Sequence, residues 1–159
     1  MTEPAHPPRP DDPPLFALLN EIGIIEQLAR NRFDAAQPDG LRLSQFILLN
    51  HLVRLGDGTT PVALARAFQL AKGAITNTLH RLEERGFIRL APDPADGRGK
   101  RVWLTEAGRA RRQEAVAWAV HALADAGAAM PAETAAAMLP ALRALRLHLD
   151  RFRARDGAG

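Results

Sequence analysis

Apolar side chains recur every three or four residues along most of this chain, which is the spacing of amphipathic helices. The pattern predicts a first helix over residues 15–34, a largely apolar second helix over 44–55 and a short third helix over 61–68. Ser44 and Thr60 stand where a hydroxyl caps a helix N-terminus, and a proline after Thr60 suits the first helical position. We therefore expect three helices before residue 70.

The middle of the chain predicts a helix-turn-helix that leads into a β-hairpin. A fourth helix, over residues 74–85, follows the third after only a few residues. Its apolar stripe, which should be buried, consists of Ile75, Leu79 and Leu82. Residues 87–91 and 101–104 then read as two strands, with Val102 and Leu104 on the core face and Arg101 and Trp103 on the other.

The C-terminal third is helical again, and the N-terminus is not. Thr105 caps a long helix to about residue 126, residues 127–131 interrupt it, and a last helix runs over 132–152. Pro140 should kink this last helix or delay its regular part. Residues 1–14 contain six prolines and predict a disordered or loosely draped arm.

Composition excludes several classes of function. The chain of 159 residues has no cysteine, a single serine (Ser44) and no tyrosine. Disulfides and thiolate zinc sites are therefore impossible, and most nucleophilic enzyme mechanisms lack a nucleophile, so we expect no enzyme and no cofactor. No apolar run approaches the roughly 20 residues of a membrane span, and the proline-rich start is unlike a signal peptide, which favours a cytoplasmic protein.

Positive charge is concentrated on the hairpin and just after it, although the net charge is only +3. Residues 97–112 contain six cations against one acid, Glu106, and the only two lysines are Lys72 and Lys100. Such a local excess is typical of a surface that binds phosphate. The outward face of the fourth helix carries side chains able to contact bases or phosphates: Gly73, Thr76, Asn77, His80 and Arg81.

The tip of the hairpin contains a cation between two glycines. Arg98 could extend into a minor groove, whose negative potential attracts guanidinium. Asp96 would repel phosphate, and we expect it to shape the loop or to hold Arg98 through a turn or an ion pair. A helix followed by a cationic hairpin can occupy one groove of DNA and contact the next.

These residues resemble a known family. The hairpin pattern D-x-R…V-x-L-T-x-x-G, formed here by Asp96, Arg98, Val102, Leu104, Thr105 and Gly108, resembles the wing signature of the MarR family of bacterial transcription regulators. Residues 73–88 resemble that family's recognition helix leading into its wing, and residues 43–48 match the start of its second helix less specifically. The resemblance covers about residues 15–152.

The resemblance implies a mostly α fold with a small β-hairpin wing, namely a winged helix-turn-helix over residues 41–105. Residues 15–40 and 106–153 would be dimerisation helices, so that a homodimer binds a pseudo-palindromic operator in double-stranded DNA, by default as a repressor. The implied DNA contacts are Lys72, Thr76, Asn77, His80, Arg81 and Arg98, and we add Thr60, Gly73, Lys100 and Arg101 as candidate contacts.

The resemblance also implies release by a small, often aromatic, ligand. Its pocket walls would be Arg30, Phe33, Phe46, His51 and Trp118, although aromatic residues at helical spacing are more often core and Arg30 could simply pair with Glu26. His121 and Asp125 lie one turn apart but lack a third ligand, so no metal is expected. Two alternatives stay open: a winged-helix module that binds protein, and a non-specific DNA-binding protein.

Overall fold

The computed structural model describes residues 12–95, 97 and 99–156. The elements in chain order are α1 (Pro14–Ala36), α2 (Leu43–Leu55), α3 (Pro61–Phe68), α4 (Lys72–Glu84), β1 (Ile88–Pro92), β2 (Lys100–Leu104), α5 (Glu106–Ala122), α6 (Ala126–Ala129) and α7 (Ala132–Asp156). They form two compact units, which divide after Ala122, so that the first holds α1 to α5 with the hairpin and the second holds α6 and α7. The predicted mostly α fold with one hairpin is confirmed.

The core of the first unit surrounds α2, as expected for a helix that is apolar on most of its circumference. Leu48, Leu49 and Leu52 of this helix are almost completely buried. They pack in one cluster with the predicted stripe of α4 and with Val102 and Leu104 of β2. The hydrophobic effect therefore attaches both α4 and the hairpin to the same core.

Two of the three predicted caps are confirmed. The Thr60 hydroxyl accepts a hydrogen bond from Ala63 N at 3.2 Å, and the Thr105 hydroxyl accepts one from Gly108 N at 3.0 Å. Ser44 as the cap of α2 was wrong, because the helix begins one residue earlier, at Leu43. The Asp34 carboxylate accepts from Leu43 N at 2.7 Å and thereby satisfies one of the free N–H groups in the first turn of α2.

The hairpin is antiparallel, with Ile88 opposite Leu104 and Pro92 opposite Lys100. Its outer edge is extended by Thr59, which forms an isolated antiparallel bridge with Val102. Val102 N donates to Thr59 O at 2.8 Å, and Gly58 N donates to Val102 O at 2.7 Å. These bonds join the segment that leads into α3 directly to β2.

The C-terminal helices differ in detail from the expectation. The predicted break at residues 127–131 is partly filled by the four-residue helix α6, and α7 extends to Asp156 because its arginine- and alanine-rich end favours helix. Pro140 lies inside α7 without delaying its start at Ala132. The ring removes one backbone hydrogen bond there, and the helix continues past it.

Candidate nucleic-acid interface

The recognition helix α4 presents a polar and basic face to solvent. Ile75, Leu79 and Leu82 are buried, with at most 2% of each residue exposed. The opposite side is exposed, and it consists of the predicted contacts Lys72, Gly73, Thr76, Asn77, His80 and Arg81. Thr76 donates its hydroxyl to Lys72 O at 2.8 Å, which leaves the oxygen free to accept a further hydrogen bond.

A groove of about 640 Å³ separates α4 from the hairpin. Five of the predicted contacts line it, namely Thr60, Lys72, Thr76, His80 and Lys100. The two lysines lie on its opposite sides, one at the N-terminus of α4 and one at the start of β2. A groove bordered by cations and by the N-terminus of a helix is favourable for phosphate.

His80 contacts a carboxylate on the same exposed face. Its Nδ1 lies 3.6 Å from Glu84 Oε1, and about two thirds of each side chain is exposed. The contact is an ion pair only when His80 is protonated, and exposed pairs of this kind contribute little to stability. Glu84 is the last residue of α4, at the end opposite Lys72.

The Arg101 side chain bonds to other residues of the protein. Its Nε lies 2.8 Å from Asp93 Oδ1, and its Nη1 donates to Gly58 O at 2.8 Å. Asp93 is buried at the base of the hairpin loop, where its N–H donates to Gly99 O. A guanidinium engaged in this way stabilises the hairpin next to Lys100, so we infer that Arg101 supports the wing.

Three residues that support the wing were not identified from the sequence. Gly58 has a φ of +79°, and a Cβ there would lie 3.0 Å from the ring of Trp103. Asp57 accepts a hydrogen bond from Leu104 N at 3.2 Å, and Glu83 accepts one from Leu90 N at 2.9 Å. Each contact joins segments that lie far apart in the sequence or in different elements, so no local pattern reveals it.

Asp96 and Arg98 lie outside the described residues. Their predicted roles at the wing tip remain predictions. The described neighbours Gly97 and Lys100 are exposed, and Gly99 is half-buried.

A second cavity lies on another side of the same unit. It has a volume of about 250 Å³ and is lined by Arg30, Ser44, Ile47, Leu48, Phe68, Leu70, Ile75 and Thr78. Of the predicted pocket walls, Arg30 alone appears in this lining. Its guanidinium also pairs with Glu26, where Nε donates to Oε1 at 2.9 Å.

The other predicted pocket walls have different partners. Phe33 is buried, and its ring centroid lies 5.0 Å from that of Phe46. His51 packs on Phe68 at 5.0 Å, and burial lowers its pKa below the usual 6.5. Trp118 is 42% exposed. The ligand pocket expected from these side chains therefore remains a prediction.

The described residues contain neither a metal-binding cluster nor a membrane-spanning helix. Within residues 12–95, 97 and 99–156, no group of three histidine, aspartate or glutamate side chains could hold a metal ion. Across the same residues, no helix combines the length and the apolarity that a membrane crossing requires.

Comparison with known proteins agrees with the resemblance in the wing and in α4. A model of the MarR family matches residues 39–99. The HTH-type transcriptional repressor Rv2887 of Mycobacterium tuberculosis is 33% identical over 114 residues, which cover 70% of this chain and 80% of the relative. The chain belongs to the MarR family.

Solved structures of MarR-family regulators have the same fold. CouR from Rhodococcus jostii, solved with p-coumaroyl-CoA, is 26% identical with a TM-score of 0.65, over 83% of this chain and 91% of CouR. BpsR from Bordetella bronchiseptica, described as regulated in DNA binding by 6-hydroxynicotinic acid, is 25% identical with a TM-score of 0.67, over 81% of this chain and 92% of BpsR. As a MarR-family member, the protein is a transcription regulator with a winged helix-turn-helix for DNA.

Proposed function

We propose that this MarR-family protein is a homodimeric repressor that binds an imperfect palindrome in double-stranded DNA. The observation that carries the proposal is the exposed face of α4, which opens on a groove bordered by Lys72 and Lys100. An α-helix fits the major groove, and the flanking cations would neutralise phosphates on either side. The relative Rv2887 is named a transcriptional repressor, which favours repression over activation.

Two types of contact are expected at each half-site. Asn77 and Arg81 have side chains that can form two hydrogen bonds with one base, so they would carry sequence preference. Lys72, Lys100 and the N–H groups at Gly73 would contact phosphates and fix the position of α4. Arg98 at the wing tip is proposed to enter the adjacent minor groove.

The homodimer is supported by an exposed apolar stripe on α1. Leu15, Phe16, Ile25 and Leu28 are 55–60% exposed, and Leu18, Leu19 and Ile22 add to the stripe. Soluble monomers rarely expose such a continuous apolar surface. Covering the exposed half of each side chain would contribute about 1 kcal/mol per residue, enough in sum for a stable dimer.

The second unit presents apolar side chains as well. On α7, Leu147 and Leu149 are about half exposed, and Met138 and Leu139 are similar. We propose that α1 and α7 both take part in the dimer interface, with α5 connecting the wing to it. A two-fold axis would then place the two copies of α4 about one DNA turn, roughly 34 Å, apart.

A small aromatic acid is the proposed effector. The cavity of about 250 Å³ offers one cation, Arg30, and two hydroxyls, Ser44 and Thr78, on otherwise apolar walls. Ligand sites of this composition orient a mostly apolar molecule through a few polar groups, and this volume suits one smaller than a typical drug. CouR and BpsR are each described with an aromatic acid or its thioester.

A titration of the purified protein with DNA at several salt concentrations tests the DNA-binding proposal. We expect steep loss of affinity with salt and a strong preference for one palindrome over random DNA. A module that binds protein would show no preference among DNA sequences. A non-specific DNA-binding protein would keep the salt dependence and lose the sequence preference.

A further inference from the structure

The carboxylate of Asp39 connects the end of the recognition helix to α5. Asp39 lies in the turn between α1 and α2. Arg111 of α5 donates from Nε to Oδ2 at 2.9 Å and from Nη2 to Oδ1 at 2.6 Å. Arg85, the C-cap residue of α4, donates from Nη2 to the same Oδ2. One side chain therefore holds two guanidinium groups from two different helices, and we call these three residues the Asp39 clamp.

The α5 side of the clamp is buried. Only 7% of the Arg111 side chain is exposed, and its Nη2 also donates to Gln37 Oε1 at 2.8 Å. Two donors in this cluster, Arg111 Nη1 and Gln37 Nε2, are buried without a hydrogen-bond acceptor. The cluster is a weak source of stability, because the Asp39 carboxylate is 38% exposed and partly solvated and two buried donors are unsatisfied. We attribute to the cluster mainly a geometric effect, because it holds the end of α4 and α5 at a defined position relative to each other.

The α4 side of the clamp is held from several directions. Arg85 Nη2 lies 3.4 Å from the backbone oxygen of Asp39, and Nη1 lies 3.5 Å from Gln45 Oε1. The Arg85 guanidinium carbon also lies 4.9 Å from the centroid of the Phe87 ring. Arg85 is thus fixed at the point where α4 passes into the hairpin.

The clamp is charged at every physiological pH. Hydrogen bonds from Arg111 lower the pKa of Asp39 from 3.8 to about 2, and the charge of Arg85 acts in the same direction. The carboxylate is therefore a permanent partner for both arginines and does not act as a pH switch.

The clamp holds the C-terminal end of α4, so a small rotation there displaces the N-terminal end by a larger distance. Helix α4 has 13 residues, so its ends are about 20 Å apart. Arg85 lies just beyond the C-terminal end, whereas Lys72 and Thr76 lie at the other end, in the groove. A rotation of about 10° at the clamped end would shift the first turn by about 3.5 Å, which is close to the rise of one base pair.

We propose that Asp39 is a positioning residue that sets the half-site spacing accepted by the dimer, because it fixes the angle between α4 and α5. The inference rests on the proposed function, since half-site spacing has meaning only for a dimer on a palindrome. It assigns Asp39 no contact with DNA. Its effect is transmitted through Arg85 and Arg111.

The test compares operators that differ only in spacing. The palindrome selected by the wild-type protein is prepared with its own spacer, with one base pair added and with one removed, together with a single half-site. Binding is measured for wild type, Asp39→Asn and Arg85→Gln. Arg85→Gln leaves the Asp39–Arg111 pair in place, so we expect this variant to fold even if Asp39→Asn is unstable. Asp34→Asn is the matched control, because Asp34 caps α2 with no recorded contact to either clamp arginine.

We expect wild type and Asp34→Asn to prefer the natural spacer over either altered one by about tenfold or more. In Asp39→Asn and Arg85→Gln, the affinities for the three spacers should differ by less than about threefold, because α4 can then shift by one base-pair rise at little cost. Both variants should bind the single half-site nearly as well as wild type. If the two variants bound all operators more weakly but kept the wild-type spacing preference, the role proposed for Asp39 would be refuted and the proposed function would stand. Absence of any spacing preference in wild type would overturn the proposed function and the clamp with it.

Discussion

Gly108, in the first turn of α5, packs directly against the backbone that joins α4 to β1. A Cβ on this residue would lie 2.1 Å from the carbonyl oxygen of Phe87 and 2.9 Å from Leu104 Cδ1. Non-bonded heavy atoms normally stay more than about 3.4 Å apart, so the helix or the junction must move by about 1 Å in Gly108→Ala. This position is the glycine of the wing signature, and the contact explains why a side chain does not fit there.

The cost of Gly108→Ala can be worked from three contributions. Forcing an additional methyl group into a packed site costs about 1–3 kcal/mol. The Phe87 carbonyl accepts a hydrogen bond from Thr105 N at 3.1 Å, and its displacement would cost about 1 kcal/mol more. Alanine regains up to about 1 kcal/mol of helix propensity. The free energy of unfolding should therefore fall by about 2 kcal/mol.

Urea denaturation followed by circular dichroism, at one fixed protein concentration, measures this difference. Gly73→Ala is the matched control, because a Cβ on Gly73 in α4 meets nothing within 4 Å. The control should be as stable as wild type or slightly more stable. Equal stability of Gly108→Ala and wild type would refute the packing argument.

Three further predictions concern charge, assembly and pH. Lys72→Ala should reduce the slope of log affinity against log salt by about 1.8, because the dimer loses one phosphate contact at each of its two half-sites; DNA titrations at four salt concentrations measure it. Ile25→Asp should convert the dimer to monomer in sedimentation, because a charge would lie in the apolar stripe of α1, where Ile25 is 60% exposed in the single chain. His51→Gln should make stability less dependent on pH. Burial lowers the pKa of His51 from 6.5, so below that pH the unfolded chain binds protons more readily and the wild-type fold loses stability; melting temperatures at pH 7.5 and 5.5 report this loss.

Each of these predictions has a contrary result. An unchanged salt slope would remove Lys72 from the phosphate contacts. A dimer that persists in Ile25→Asp would exclude the α1 stripe from the interface. Equal pH dependence in His51→Gln and wild type would show that this histidine is not the group that destabilises the fold in acid.

Local features of the fold were predictable from sequence because their causes are local. The stripe of α4 follows from helical periodicity, and the caps at Thr60 and Thr105 follow from hydroxyls that precede helical segments. The register of β2, with Val102 and Leu104 inward, follows from strand alternation. The groove face of α4 followed from the same periodicity, because residues opposite a buried stripe must be exposed.

Contacts between distant residues were not predictable in the same way. Asp34 accepts a hydrogen bond from Leu43 N at the start of α2, nine positions downstream, and no local pattern shows this contact. Asp39 and Arg111 are 72 positions apart, and no local pattern shows that they meet. The contact between the rings of Phe33 in α1 and Phe46 in α2 is of the same kind.

Selection of bound sequences from random double-stranded DNA, by the purified protein, tests the central claim most directly. The account predicts enrichment of one imperfect palindrome whose half-site centres are separated by about one helical turn, 10–10.5 base pairs. Enrichment of a sequence without two-fold symmetry, or of no sequence at all, would contradict it.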